Sequence, residues 1–191
     1  MYLVTGLGNP GIKYDWTRHN IGFETINKLA YDHKINISKL KYRSHYGSGT
    51  SNAQKIILSK PTTYMNLSGE SIRDTVKFNK IDPEHIIVIH DEIALDVGSV
   101  KLKFGGGAGG HNGLKSIISC IGTQDFIRVR IGVGAKPQGY ELSDWVLSKF
   151  ATNEYKSIIE SVTIASEAVE YILAHGIDKA MNIYNQKSIN V

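Results

Sequence analysis

Four consecutive aliphatic residues, Ile86-Ile87-Val88-Ile89, stand between polar neighbours at His85 and His90. A run this short and apolar at every position fits a strand buried on both faces, the arrangement found where helices cover both sides of a sheet. The rest of the chain is consistent with that centre. Tyr2-Leu3-Val4-Thr5 opens as a short strand, and Ile26, Leu29 and Ala30 share one face of a helix over 21–34 with Asn20 as its N-cap. A hairpin is predicted over 42–59, then a helix over 66–79 in which Ile72 and Val76 are spaced by four. Two later strands alternate strictly: Val100, Leu102 and Phe104 oppose Lys101 and Lys103, while Ile127, Val129, Ile131 and Val133 oppose Arg128 and Arg130. A helix over 112–121 lies between them. The C-terminal part is helical at Ile158, Val162, Ala165, Val169 and Ile172, Gly176 fits a C-cap, and a short helix follows over 178–184. These elements predict one α/β domain with a mixed, mostly parallel central sheet and helices on both faces.

A length of 191 residues suits a single domain with one substantial core. With 41% apolar and 21% charged residues, the chain is not of the disordered class. Cys120 is the sole cysteine, which excludes an intramolecular disulfide and a cysteine-built zinc site, and its apolar helix face predicts a core position. There is no basic, apolar leader at the N-terminus and no run of about eighteen apolar residues, so the expectation is a soluble, cytoplasmic protein. A monomer is the default. Net charge is +4, and residues 1–115 carry 15 basic and 10 acidic side chains. That bias suits an acidic partner such as nucleic acid, but also an ordinary solvated surface.

Ligands of open α/β sheets collect beyond the carboxyl ends of the strands, here Gly8-Asn9 and His90-Asp91-Glu92. Gly6-Leu7-Gly8-Asn9-Pro10-Gly11 has the spacing of a dinucleotide fingerprint, and Asp32 stands where a ribose-binding acid would. No helix begins inside the motif, however, so a tight turn displaying Asn9 fits better than a nucleotide site. Gly105-Gly106-Gly107-Ala108-Gly109-Gly110 precedes a helix and suits a phosphate cradle, the close approach of a substrate backbone, or plain flexibility. Of the seven histidines, His19, His90 and His111 lie in polar, glycine-flanked contexts, with no metal-ligand spacing among them. His19 and Asp91 form a base and its orienting carboxylate if the helix after Asn20 carries His19 over the end of the central strand. Asn66 and Asn112 read first as N-caps, and second as amides that grip a peptide backbone or an oxyanion. The two basic strand faces track phosphates or guard exposed strands.

Taken together the segments resemble the bacterial-type peptidyl-tRNA hydrolase family. The resemblance is carried by Gly6 to Gly11, Thr17-Arg18-His19-Asn20-Ile21-Gly22-Phe23, and Lys60-Pro61-Thr62-Thr63-Tyr64-Met65-Asn66-Leu67-Ser68-Gly69. It continues through His90-Asp91-Glu92, the stretch from Lys103 to Ser116, Arg128-Val129-Arg130-Ile131-Gly132, and Asp144-Trp145-Val146-Leu147-Ser148-Lys149-Phe150. It implies one hydrolase domain over 1–191 that cleaves the ester between a peptide and the 3′ ribose of tRNA. By this similarity His19 is the general base, Asp91 stabilises it, and Asn9 senses an N-blocked substrate. Tyr14, Tyr64, Met65, Asn66, His111 and Asn112 are implied as contacts to the tRNA end or the peptide backbone, and Lys103 and Arg130 as a clamp on tRNA phosphate. The implied partner is peptidyl-tRNA, with no metal, no organic cofactor and no membrane. A non-catalytic RNA-binding module on the same fold is the alternative.

Three positions depart from the family's pattern: Ala94, where an acid is common, Asp96, where proline is, and Ala135, where a basic or proline-linked residue is usual. All lie in loops near the expected binding face, where they bear on substrate affinity and loop geometry.

Overall fold

A computed structural model describes residues 1–186, so the last five residues of the expected 1–191 domain lie outside it. Seven strands form one mixed sheet: β1 (Tyr2–Gly6), β2 (Lys39–Lys41), β3 (Ser44–Ser51), β4 (Gln54–Pro61), β5 (Ile86–Glu92), β6 (Val100–Phe104) and β7 (Ile127–Gly132), in the spatial order β2-β3-β4-β1-β5-β7-β6. The four central strands β4, β1, β5 and β7 run parallel, and antiparallel pairs close the two edges. The carboxyl ends of β1 and β5 therefore open on the same side, where Asn9 and Asp91 emerge.

The apolar run at 86–89 behaves as its pattern requires. Ile87 and Ile89 join Val4 in a core beneath α1 (Ile21–Asp32), α5 (Tyr155–His175) and α6 (Ile177–Tyr184). Ile86 and Val88 join Leu3 in a second core beneath α2 (Ser68–Asn79) and α3 (Asn112–Ile121). Each fully buried aliphatic side chain contributes roughly 1.5–3 kcal/mol, so the central strand is fixed from both faces. Gly176 ends α5 as expected, with φ 85°. No helix among the described residues is long and apolar enough to cross a membrane.

Two glycines decide where the first helix lies. A Cβ on Gly6 would stand 2.1 Å from the Gly22 carbonyl oxygen, and one on Gly22 would stand 2.4 Å from that of Ile89. Such distances permit only hydrogen, so the N-terminal turn of α1 rests directly on the ends of β1 and β5. Between Gly11 and α1 lie two one-turn helices, Ile12–Tyr14 and Arg18–Asn20. The glycine turn after β1 thus opens only the single turn Ile12–Tyr14, and the dinucleotide reading finds no α-helix N-terminus to hold a pyrophosphate there.

Several local expectations are corrected. Asn20 makes no side-chain cap on α1; its amide instead brackets the backbone of Asn9. Asn66 lies inside the one-turn helix Met65–Leu67, and α2 begins after Leu67 without a side-chain cap. Asn112 is the first residue of α3, whose cap is His111. Cys120 is half-buried rather than in the core. Strict alternation in β7 also fails, because Arg128 is buried on its own face at 3% exposure.

Candidate active site

The close seating of α1 carries His19, on the last one-turn helix before it, over the end of β5. His19 Nδ1 stands 2.8 Å and 3.0 Å from the two carboxylate oxygens of Asp91. His111 Nε2 reaches the same carboxylate, 3.0 Å from Oδ1. A carboxylate accepts, so each of these ring nitrogens carries a proton.

The tautomer of His111 follows independently. Its Nδ1 accepts the backbone N–H groups of Gly113 and Leu114 at 3.1 Å and 3.3 Å, capping α3, and so its proton sits on Nε2. For His19 the proton on Nδ1 leaves Nε2 with a free lone pair. Among the described residues that nitrogen has no protein partner, and His19 lines an adjoining cavity of about 360 Å³.

The electrostatics follow from burial and neighbours. Asp91 is buried, which alone would raise its pKa, but His19 and His111 beside it pull it well below the usual carboxylate range. Burial alone would lower the pKa of His19, yet the charge and hydrogen bond of Asp91 outweigh it and leave it raised. His90, the next residue along β5, is pushed down to about 3 by burial first and then by His111. It stays neutral, donating from Nδ1 to the Asp91 carbonyl at 2.7 Å. Its buried Nε2 has no partner among the described residues.

One ring nitrogen each of His19 and His111 and an Asp91 oxygen lie within 4.8 Å of one another, close enough to hold a metal ion. His19 Nδ1 and His111 Nε2 already donate to Asp91, and an ion held by that carboxylate would compete with their protons. The set is better matched to a hydrogen-bonded base than to a metal centre.

Asn9 is held from three directions. Its N–H donates to Asn20 Oδ1 at 2.8 Å, its carbonyl accepts from Asn20 Nδ2 at 2.9 Å, and its side-chain Oδ1 accepts the Met65 N–H at 2.8 Å. Its Nδ2 is left as a free donor among the described residues. Asn9 faces a neighbouring cavity of about 250 Å³ that it shares with Ile12, Asp15, Phe23 and Lys60. Met65 itself is buried, and its sulfur would lie 2.6 Å from a Cβ on Gly113, so it packs beneath the α3 terminus.

The cavity beside His19 and Asp91 is completed by Ala108, Gly109, Gly110, Asn112 and Lys115, and by Leu142, Ser143 and Val146. Of the expected substrate contacts, His111 and Asn112 therefore line it. Tyr14, Tyr64 and Asn66 lie outside its wall, with Tyr64 and Asn66 exposed. The glycine loop is pinned rather than free: Arg128 donates to the carbonyls of Gly106 and, at 2.6 Å, Gly107. Lys103 and Arg130 share one face of the β6–β7 pair on a diagonal, Lys103 exposed and Arg130 ion-paired to Glu92 at 2.9 Å. Leu142, Ser143 and Val146 were not foreseen; they belong to α4 (Leu142–Val146), too short to leave a periodic signal. Arg128 was foreseen only as a charged strand face.

A family model described as peptidyl-tRNA hydrolase matches residues 3–191. The peptidyl-tRNA hydrolase of Lachnoclostridium phytofermentans is 48% identical over 190 residues, covering all of both chains. That of Alkaliphilus metalliredigens is 50% identical over 97% of this chain and all of its own. Among solved structures, a peptidyl-tRNA hydrolase from Acinetobacter baumannii superposes with a TM-score of 0.91 at 37% identity, covering 98% of this chain and 96% of its own.

Proposed function

The chain belongs to the peptidyl-tRNA hydrolase family, and from that premise we propose that it cleaves the ester of peptidyl-tRNA with a water activated by His19. Hydrolysis of that ester is the activity of the family; the assignment of residues to its steps is our reading. The observation that carries it is the His19–Asp91–His111 arrangement, which leaves one basic nitrogen, His19 Nε2, beside the cavity.

In this reading Nε2 takes a proton from water as its oxygen attacks the ester carbonyl. Asp91 holds the ring in the right tautomer and stabilises the imidazolium that forms. The tetrahedral oxyanion is met by an amide N–H donor, for which Asn112 at the cavity is suited. Collapse breaks the bond to the ribose 3′ oxygen, which recovers the proton from His19. The products are a peptide carboxylic acid and tRNA with a free 3′ hydroxyl. An activated ester needs no covalent intermediate, and a positioned base is worth ~10²–10⁴-fold.

Asn9, fixed through its backbone by Asn20, is assigned to sensing an N-blocked substrate. Tyr14, Tyr64, Met65, Asn66 and His111 remain assigned to the tRNA end or peptide, Met65 through its packing under α3 rather than an open face. Lys103 and Arg130 are assigned to tRNA phosphate, a contact that positions without reading bases and so tolerates many tRNAs. A cytoplasmic monomer fits this reading, since translation supplies the substrate and one chain furnishes every residue named.

The test is release of N-acetylaminoacyl acid from N-acetylaminoacyl-tRNA by the native chain and by His19→Ala. The native chain is expected to turn over and the variant to fall by at least ~10²-fold while still binding tRNA. Equal activity in both removes His19 as the base. Absence of turnover in both, with tRNA binding retained, makes the chain a binding module.

A further inference from the structure

Arg18 precedes the proposed base on the same one-turn helix, yet its side chain serves a different part of the molecule. The guanidinium is buried, 3% of the residue being exposed. Nη1 donates to the Val133 carbonyl at 2.9 Å, Nη2 to Glu154 Oε2 at 2.8 Å and Nε to Ser148 Oγ at 3.3 Å. Its central carbon lies 3.7 Å from the centre of the Trp145 ring and 4.7 Å from that of Phe150.

The backbone repeats the connection. Arg18 N–H donates to the Ser148 carbonyl at 3.0 Å, and Thr17 pairs with Lys149 in an isolated antiparallel bridge. Trp145 Nε1 donates to the Gly134 carbonyl at 3.0 Å, and the Ser148 hydroxyl to the Trp145 carbonyl at 2.7 Å. Every grip falls on residues 145–154 or on Val133 and Gly134 just past β7. That segment begins inside α4 at Trp145, and Leu142, Ser143 and Val146 of this helix form one wall of the cavity that His19 lines.

We propose that Arg18 is a positioning residue that sets the α4 wall against the base, so that one side chain fixes the width of the substrate cavity. A planar fork suits this task, because it hydrogen-bonds at its edge and stacks on its face at once, which an ammonium does not do. The inference rests on the reading of this cavity as the substrate site. Arg18 acts through the wall and has no part in proton transfer. Its loss therefore weakens substrate binding more than the chemical step and leaves the pH dependence of the base where it was.

The experiment is Arg18→Lys, which keeps the charge and removes fork and stack. On N-acetylaminoacyl-tRNA the expected result is a KM raised ~10-fold or more, kcat within about threefold, and an unmoved acid limb of the pH–rate profile. Amide hydrogen exchange should quicken over 142–149 while β1 and β5 keep their protection. An unchanged KM, with rate falling only as the folded fraction falls, overturns the proposal. So does a collapse of kcat at unchanged KM, which would place the effect on His19. Should Arg18→Lys fail to fold, Glu154→Gln and Trp145→Leu each remove one grip and are expected to raise KM to a smaller degree; unchanged KM in both overturns it. The exchange readout needs no turnover, so a failure of His19 as base and a failure of Arg18 as positioner give separate results.

Discussion

At the scale of single residues, the centre of the site is one carboxylate shared by two histidines. His19 and Asp91 were legible in the sequence, because a histidine before a helix and an acid at the end of a buried strand are the types and places that base chemistry requires. The role of His111 as cap was not legible, since asparagine is the favoured capping residue and Asn112 stands directly beside it. Nor does any local pattern show that Asn20 turns its amide to Asn9 instead of its own helix. Because His111 joins two functions in one ring, they are separable by substitution. His111→Ala should lose the cap and cost about 1 kcal/mol in unfolding free energy. His111→Asn should restore most of that stability by capping with its amide oxygen, yet recover no more activity than alanine, having no donor in the place of Nε2. Denaturant melts and turnover on the same three proteins check this; equal recovery of both would show that His111 serves the fold alone.

At the scale of elements, the site depends on how closely helices approach. α2 and α3 meet where a Cβ on Gly69 would stand 2.1 Å from the Ser116 carbonyl oxygen, and the Gly69 N–H donates to Ser116 Oγ at 2.9 Å. Gly69→Ala should force α3 outward, costing about 1–3 kcal/mol of stability, and should lower activity because α3 carries His111 at its start. Gly107→Ala is the control: nothing lies within 4 Å of its added Cβ, and thermal melting should show a change under about 0.5 kcal/mol. A near-neutral Gly69→Ala would contradict the account of this contact. The long strands and helices were legible because periodicity of two or 3.6 repeats often enough to be read. The three-residue β2, the one-turn helices and α4 were not. The segment around α4 is held by contacts with Arg18, some 130 residues away in sequence, and short-range patterns carry no record of those.

At the scale of the whole molecule, a net charge of +4 says little about the partner, and the overall charge did not identify it. The ordered set of motifs did, because together they span nearly the entire chain. The fold shows where some of the charge is spent: Arg18 and Arg128 are buried in structural roles, and Lys103 remains exposed on the β6–β7 face beside Arg130. Lys103→Ala should weaken tRNA binding uniformly across tRNAs and reduce the slope of log K against log salt by about one. Arg130→Ala should act in the same direction but less, because its guanidinium is already shared with Glu92. Filter binding over a salt series measures both, and an unchanged slope in both would remove this face from the tRNA interface.

The most direct test of the central claim, that Asp91 holds His19 as the base, is the pH dependence of kcat/KM for the native chain and Asp91→Asn. The base works unprotonated, so activity is lost as pH falls through its pKa. In the native chain Asp91 raises that pKa, and the acid limb should lie above the ordinary histidine value of about 6.5. Asp91→Asn removes the charge that raises it and leaves burial, which lowers it. The limb should then move to lower pH while the plateau falls, the tautomer no longer being fixed. A limb at the same pH in both proteins would show that the titrating base is not the one Asp91 holds.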